Sequence, residues 1–180
     1  MNRFTDTYIA WLDFLFTNPR LSLALAFAFV LSGRKSKWYS PFLVGVKNSE
    51  DEYESICRVM SGFSDDFYQE KFDKFSAICV DEKPSNVSTC EECFHWFDLE
   101  KSEVWEIKGA DLTRSPRHKA CNDRIIADID NVDEVGQSSS SNHVGVGLRF
   151  PRFIRERNDK RIEDATTSEQ VYRLFTSQFS

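Results

Sequence analysis

The chain has 180 residues, a formal net charge of −6 and 16 phenylalanines. That length suits a single domain with one core. The acidic total argues against nucleic acid as a partner, yet arginines concentrate after Lys108 while acidic residues crowd the first half, and such a dipolar domain can present a basic face to a polyanion. Five cysteines without regular spacing favour a reducing compartment over a secreted disulfide framework.

Residues 1–32 differ in composition from the rest of the chain. They contain an apolar run of 12 residues, Leu21–Ser32, which is too short to cross a bilayer because a helix needs about 20. We predict an apolar helical leader, unrelated to the domain that follows, and no stable membrane association. A secretory signal stays an alternative, since Arg20 precedes the run; the protein would then be secretory or membrane-bound.

Residues 33–180 show a mainly β pattern with helices. Short β-rich stretches alternate with polar turns, and Ser64 caps a helix that is predicted to run to Cys79. The predicted strands are Pro41–Val46, Tyr53–Met60, Phe94–Leu99, Glu103–Lys108 and Gly145–Ile154. Five strands with an intervening helix are typical of an oligonucleotide-binding (OB) fold, a five-stranded Greek-key barrel.

Two features complete the predicted domain. Residues 122–142 contain a serine run and several acidic residues, which indicates a flexible surface insertion. Thr166 with Glu169 three residues later predicts a capping box for a final helix that packs on the barrel.

The segment Gly147–Gln170, GLRFPRFIRERNDKRIEDATTSEQ, sets basic residues around an apolar strand pattern. It resembles the C-terminal motif of eukaryotic and archaeal ATP-dependent DNA ligases. Two further blocks, Ile56–Asp66 and Val104–Ala120, resemble ligase segments that precede this motif. The resemblance implies a nuclear OB-fold domain that contributes DNA and nucleotide-phosphate contacts to nick sealing in DNA replication, repair and recombination, with nicked duplex DNA as its partner.

The resemblance also implies roles for individual residues. The implied nucleotide-phosphate contacts are Arg152, Arg157, Asp159 and Lys160. The implied DNA contacts are Arg149, Phe150, Arg155, Lys108, Arg114 and Lys119, with the phenylalanine lying against the minor groove. Guanidinium groups suit both tasks because their planar fork binds phosphate oxygens in bidentate fashion.

Two simpler interpretations of the basic residues stay open. The arginines after Arg149 can form a solvated face paired with Glu156, Glu163 and Asp164. The turn around His118 can be an ordinary surface turn in which the histidine hydrogen-bonds the backbone.

Ligases of this family attack ATP with the lysine of a Lys-x-Asp-Gly motif, which this sequence lacks. Lys71 comes nearest, but Lys74 stands where glycine is needed. We therefore predict no catalytic nucleophile and no sealing by this chain alone. ATP and Mg²⁺ are expected only in the context of a complete ligase, with a nucleotidyltransferase domain supplied in trans. The alternative is a catalytically dead nucleic-acid-binding remnant of a truncated ligase gene.

A zinc site is a competing interpretation of the cysteines. Cys90 and Cys93, together with His118 and Cys121, could supply four ligands. The spacing between the two pairs is loose, and His118 already belongs to the ligase-like segment. The sequence therefore predicts reduced, unlinked thiols and no metal.

Overall fold

The structure is a computed structural model that describes residues 20–30 by their backbone and residues 38–125 and 145–179 in full. The described residues form ten strands and two long helices. The strands are β1 (Arg20–Val30), β2 (Tyr39–Lys47), β3 (Tyr53–Val59), β4 (Cys79–Val80), β5 (Val87–Ser88), β6 (His95–Phe97), β7 (Val104–Lys108), β8 (Leu112–Ser115), β9 (Gly145–Leu148) and β10 (Arg152–Glu156). The helices are α1 (Asp65–Ser76) and α2 (Ser168–Ser177), with 3-10 turns at Leu99–Lys101 and Ile162–Asp164.

The strands form two sheets. The larger has the order β10-β7-β1-β2-β3-β5, and β6 joins it by pairing with β1 and β4. The smaller consists of β8 and β9, paired antiparallel. This mainly β architecture with a few helices confirms the predicted fold class; closure into a five-stranded barrel stays a prediction.

The apolar run near the start of the chain is a strand, so the predicted helical leader is wrong over residues 20–30. β1 pairs antiparallel with β2, β6 and β7, all of which lie within the domain predicted for residues 33–180. The physical reason is that a short continuous apolar run fits a buried strand as well as a buried helix, and periodicity cannot separate them. The remainder of the predicted leader, residues 1–19 and 31–32, lies outside the described residues.

Helix α1 begins where the sequence predicts. The Ser64 hydroxyl accepts a hydrogen bond from the Phe67 backbone N–H at 3.2 Å, and Asp65 and Asp66 occupy the first turn near the positive end of the helix dipole. The helix ends at Ser76, three residues before the predicted Cys79, because that cysteine already pairs with Phe97 across β4 and β6.

The predicted strand Gly145–Ile154 is two strands in different sheets. β9 pairs with β8, whereas β10 pairs with β7. Between them Phe150 has a φ of 49°, a left-handed conformation that a bulky residue rarely adopts, and Pro151 lacks the N–H that a sheet ladder needs. The chain therefore leaves one sheet at Leu148 and enters the other at Arg152.

The predicted capping box of the last helix is displaced by one residue. Thr167, not Thr166, caps α2: its hydroxyl accepts from the Gln170 N–H at 3.2 Å, and the Gln170 side chain accepts from the Thr167 N–H at 3.0 Å. Val171 and Phe175 are buried against the domain. The predicted insertion begins as ordered structure, since residues 122–125 are helical and Ile125 is buried; residues 126–142 lie outside the described part.

An aromatic core joins α1 to the large sheet. Phe42 and Trp105 lie at its centre with ring centroids 4.9 Å apart, and Phe75 of α1 stacks on Phe97 at 4.8 Å. Phe153 of β10 packs edge-on against Trp105 at 5.2 Å. Aromatic contacts of this kind add to the free energy of burial, so β10 is fixed to the core by its one deeply buried side chain.

Candidate phosphate-binding surface

The arginine strand β10 lies at the edge of the large sheet. It pairs with β7 through Arg152 opposite Lys108 and Phe153 opposite Ile107, and the register shifts before Arg155, which stands opposite Glu106. Ile154 is the residue at which the ladder is irregular. Arg152 and Arg155 are exposed while Phe153 is buried, so the strand directs its cations to solvent from a fixed backbone.

Most arginines of this segment pair with a carboxylate. Arg149 Nη1 lies 3.2 Å from Asp111 Oδ2, and Arg155 Nε donates to Glu106 Oε2 at 2.8 Å. Of the partners predicted for a solvated arginine face, Glu163 does pair with an arginine, Arg161. Arg149 and Arg155 instead pair with carboxylates of the loop before β8 and of β7. Exposed pairs hold little free energy each, so a phosphate can compete for these guanidiniums.

The turn after β10 gathers three of the four predicted nucleotide-phosphate residues. Arg157 donates to Asp159 twice, from Nε to Oδ1 at 2.8 Å and from Nη2 to Oδ2 at 2.6 Å. These bonds hold the pKa of Asp159 at about 2, well below its ordinary value. Lys160 donates to the Asp164 backbone carbonyl at 3.1 Å. A planar guanidinium fork, a lysine and a fully ionised carboxylate therefore share one turn.

Arg152, the fourth predicted nucleotide-phosphate residue, lies at the opposite end of β10. A strand rises about 3.3 Å per residue, so its Cα lies about 16 Å along the chain from that of Arg157. In the ladder Arg152 stands opposite Lys108 instead. The structure thus places Arg152 beside a residue predicted to contact DNA.

Phe150 is exposed at the corner between the two sheets. Its side chain is 72% exposed, and the Arg149 guanidinium carbon lies 5.0 Å from the ring centroid, within cation–π range. An exposed ring beside exposed cations can stack on a base or wedge into a groove while the cations hold phosphate.

The second basic group is spread over β8 and the turn that follows. Arg114 is exposed on β8, and Lys119 is half-buried with its backbone N–H donating to the Ser55 carbonyl at 2.9 Å. In the part of the chain that the structure describes, no carboxylate lies within ion-pair distance of Arg114 or Lys119. In this they differ from the arginines near β10, most of which are paired.

His118 lies in the same turn and is half-buried. Burial, followed by the charges of Arg58 and Arg117, lowers the pKa of His118 to about 4, so the ring is neutral at pH 7. Its Nδ1 is buried and has no hydrogen-bond partner among the residues that the structure covers. Nδ1 therefore does not make the backbone hydrogen bond that was expected of the histidine. The backbone N–H of His118 donates to the Ser115 hydroxyl at 3.4 Å.

Sequence reasoning missed a buried ionic cluster behind β10. Lys71 of α1 is fully buried, with its Nζ 2.8 Å from Glu103 Oε1 and 2.7 Å from Glu156 Oε1. Burial acts to lower the pKa of Lys71, but hydrogen bonds to the two carboxylates outweigh it and the pKa is raised. The available signal was helical spacing, since Lys71 falls four residues from both Phe67 and Phe75 on the core-facing side of α1.

The cysteines do not assemble a metal site in the described residues, where no group of three or more histidine, cysteine, aspartate or glutamate side chains could hold an ion. Burial raises the pKa of both Cys93 and Cys121 to about 12, and Cys121 Sγ donates to the Ser168 carbonyl at 3.1 Å. The helices of residues 38–125 and 145–179 include none long and apolar enough to cross a membrane.

A mainly β domain with an arginine-bearing edge strand, an exposed aromatic corner and a turn that pairs a cation with a carboxylate has the features that are typical of polyanion-binding domains. The family described as ATP dependent DNA ligase C terminal region matches residues 35–160. The chain belongs to this family.

Known relatives agree with that assignment. The chain is similar to DNA ligase 6 of Arabidopsis thaliana, with 40% identity over 149 residues covering 82% of this chain and 10% of the relative. It is 36% identical to DNA ligase 3 of Schizosaccharomyces pombe, over 83% of this chain and 18% of that protein. It is 35% identical to a DNA ligase of Sulfurisphaera tokodaii, over 86% and 23%. The chain thus spans between a tenth and a quarter of the length of these relatives.

A solved structure shares the fold. The crystal structure of the ligase domain of M. tuberculosis LigD superposes with a TM-score of 0.55 and 12% identity, covering 83% of this chain and 39% of that one. This likeness supports the architecture described above.

Proposed function

We propose that this chain is an OB-fold domain that contributes DNA and nucleotide-phosphate contacts to nick sealing by an ATP-dependent ligase, in DNA replication, repair and recombination in the nucleus. The observation that carries the proposal is β10 with its flanks. Guanidiniums lie at both ends of this rigid strand, and the exposed ring of Phe150 lies just before its first residue, beside Arg149. We include residues 20–30 in the domain because β1 pairs with three of its strands.

The nucleotide role falls to the turn after β10. Arg157 and Lys160 supply a planar fork and an ammonium group, which suit the oxygens of a polyphosphate, and Asp159 holds the fork in place until phosphate competes for it. ATP and Mg²⁺ would be bound in a complete ligase, where ATP supplies the adenylate and the metal ion stabilises phosphate charge. Arg152, at the other end of the strand, would contact either the polyphosphate or DNA.

The DNA role falls to the residues around the corner between the sheets. Phe150 would enter the minor groove of nicked duplex while the neighbouring cations hold the backbone. The proposed backbone contacts are Arg149, Arg155, Lys108, Arg114 and Lys119. Such contacts give salt-dependent binding that does not depend on base sequence.

This chain alone is not expected to form a covalent adenylate. The sequence has no lysine followed by x-Asp-Gly, and the nearest candidate, Lys71, is buried between two carboxylates that hold it protonated. A protonated, buried ammonium cannot attack a phosphate. A nucleotidyltransferase domain, supplied in trans, would have to provide the nucleophile.

The test is binding of the purified chain to a nicked duplex and to an intact one across a salt series. Arg149→Ala and Arg155→Ala, which remove proposed backbone contacts, should weaken binding, and loss of one phosphate contact should reduce the slope of log K against log salt by about 0.9. Arg173→Ala is the matched control, because Arg173 is exposed on α2 and, among the described residues, pairs with Glu169 of its own helix alone. A folded protein that binds neither duplex would contradict the proposal.

A nonenzymatic nucleic-acid-binding remnant is the second candidate, and the missing nucleophile motif favours it. Complementation separates the two. If a separately supplied ligase nucleotidyltransferase domain seals nicks faster when this chain is added, the chain acts in sealing; if the chain binds DNA but leaves the sealing rate unchanged, the second candidate stands.

A further inference from the structure

We propose that Lys71 is a positioning residue for the Arg157–Asp159 turn, because its ammonium group ties the end of β10 to the start of β7 and to helix α1. The inference rests on the proposed function, in which that turn binds phosphate. It assigns a role to a residue that lies 86 positions earlier in the chain and contacts no solvent.

The end of β10 and the start of β7 are joined by a backbone hydrogen bond and, one residue earlier on each strand, by ion pairs. The Arg157 backbone N–H donates to the Val104 carbonyl at 2.8 Å. One residue earlier on each strand, Glu156 and Glu103 meet through Lys71. The point from which the Arg157–Asp159 turn departs is therefore fixed by the backbone on one side and by a buried ammonium on the other.

Glu103, the carboxylate just before β7, has further partners besides Lys71. Glu103 also accepts from the Trp105 indole N–H at 2.6 Å and pairs with Lys74. These contacts connect the cluster of Lys71, Glu103 and Glu156 to the aromatic core, since Trp105 packs against Phe153 of β10. A buried ammonium group whose hydrogen bonds are satisfied holds the surrounding side chains in one geometry. The Arg157 guanidinium must meet two phosphate oxygens at once, so its binding is sensitive to displacements of about 1 Å.

The chain offers a way to cut this link without leaving a buried charge unpaired. Removing the Glu156 carboxylate leaves Lys71 bound to Glu103 at 2.8 Å, so only the connection to β10 is lost. Glu70 supplies the matched control: it also contacts Lys71, at 3.3 Å, but it belongs to the same helix and is 67% exposed. Its loss removes an equal charge and no link between elements.

The experiment compares Glu156→Ala, Glu156→Gln and Glu70→Ala with the unchanged chain. The carboxyl of Asp159 is titrated by NMR at constant ionic strength, and inorganic pyrophosphate binding is measured at pH 7. In Glu156→Ala the pKa of Asp159 should rise from about 2 to about 3 as its pair with Arg157 loosens, and pyrophosphate affinity should fall roughly three- to tenfold. Glu156→Gln, which can still accept a hydrogen bond from Lys71, should fall between, and Glu70→Ala should match the unchanged chain.

The direction in which the pKa of Asp159 changes distinguishes loosening of the turn from the simple loss of a charge. Loss of a neighbouring negative charge by itself would lower the pKa of Asp159, so a rise reports loosening of the turn. The inference is overturned if the pKa stays at or below about 2 in Glu156→Ala, or if Glu70→Ala produces the same rise. Absence of pyrophosphate binding by the unchanged chain would count against the proposed nucleotide contact, while the Asp159 titration would still decide the positioning role.

Discussion

The two basic segments of this domain are supported in different ways. The arginines on and around β10 stand on an edge strand whose one buried side chain, Phe153, lies in the aromatic core, and several of them pair with carboxylates. The cations of the segment Arg114–Lys119 lie on the two-stranded sheet and in the turn after it, beside a half-buried neutral histidine, and two of them, Arg114 and Lys119, have no acidic partner among the described residues.

We infer from this difference that the two basic segments would hold a phosphate in different ways. A fixed strand with paired guanidiniums presents forks in defined positions, as bidentate phosphate binding requires. Solvated cations on a turn attract a polyanion over a Debye length of about 10 Å but hold no set geometry. We therefore expect β10 to orient its ligand and the turn to add affinity.

Phe153→Ala tests the support of β10 most severely. The ring contacts Phe63, Phe67 and Trp105 at centroid distances of 4.8 to 5.2 Å, so its removal leaves a cavity and should lower the free energy of unfolding by about 4 kcal/mol. Urea denaturation measures the change. Ile154→Ala, one residue along and 40% exposed, should lower it by less than about 1 kcal/mol; equal losses would mean that β10 does not rest on the core.

Lys71→Met should have the next largest effect. It leaves Glu103 without one of its two lysine partners and Glu156 without its partner in the cluster, and breaking a buried pair in this way costs about 3 kcal/mol. Lys74→Met removes the half-exposed partner of Glu103 and should cost less than about 1 kcal/mol. The same urea series compares the two, and a Lys71→Met protein as stable as the unchanged chain would contradict a structural role for the cluster.

The pKa of His118 predicts how the free energy of unfolding changes with pH. Its pKa is about 4 in the folded protein and ordinarily 6.5, so the unfolded chain binds more protons between these values. The stability that His118 contributes is present above pH 6.5 and is lost as pH falls towards 4. The loss should reach about 2 kcal/mol after allowance for partial exposure.

The comparison that isolates this effect is the unfolding free energy of the unchanged chain and of His118→Phe at pH 7, 5.5 and 4.5. Carboxylates titrate equally in both proteins, so the difference between them reports the histidine. Parallel curves would show that the ring is protonated with its ordinary pKa and does not support the turn as a neutral group.

Arg155→Ala should change stability least. Its side chain is 64% exposed and pairs with Glu106, so the free energy of unfolding should fall by about 0.5 kcal/mol. DNA binding should nevertheless weaken and lose about one unit of salt slope if the arginine contacts phosphate. Arg161→Ala changes a still more exposed arginine, 82% exposed and paired with Glu163, and serves as the control for both measurements.

Local patterns predicted the elements that depend on neighbouring residues. Ser64 marked the start of α1, and the polar residues between β2 and β3 marked the turn between two paired strands. The patterns failed where the outcome depends on distant partners: β1 is a strand because three other strands pair with it, and the arginine segment divides because Leu148 and Arg152 find partners in different sheets.

The candidate site divides in the same way. The motif in Gly147–Gln170 named the arginines and Phe150, yet it could not say that Arg152 and Arg157 stand at opposite ends of β10 or that Arg157 is held by Asp159. The Lys71 cluster escaped prediction because its members are separated by 32 and 85 residues, and no local pattern encodes a contact over such distances.

The sequence by itself determined the family, the β-rich composition, the basic C-terminal segment and the lack of a Lys-x-Asp-Gly nucleophile, because each is carried by residues close together in the chain. Only the tertiary structure decided which carboxylate holds each cation, which apolar run becomes the central strand, and that a helix lysine supports the arginine turn. Burial and pairing are properties of elements brought together by folding, and electrostatic interactions strengthen only after water has been excluded from between them.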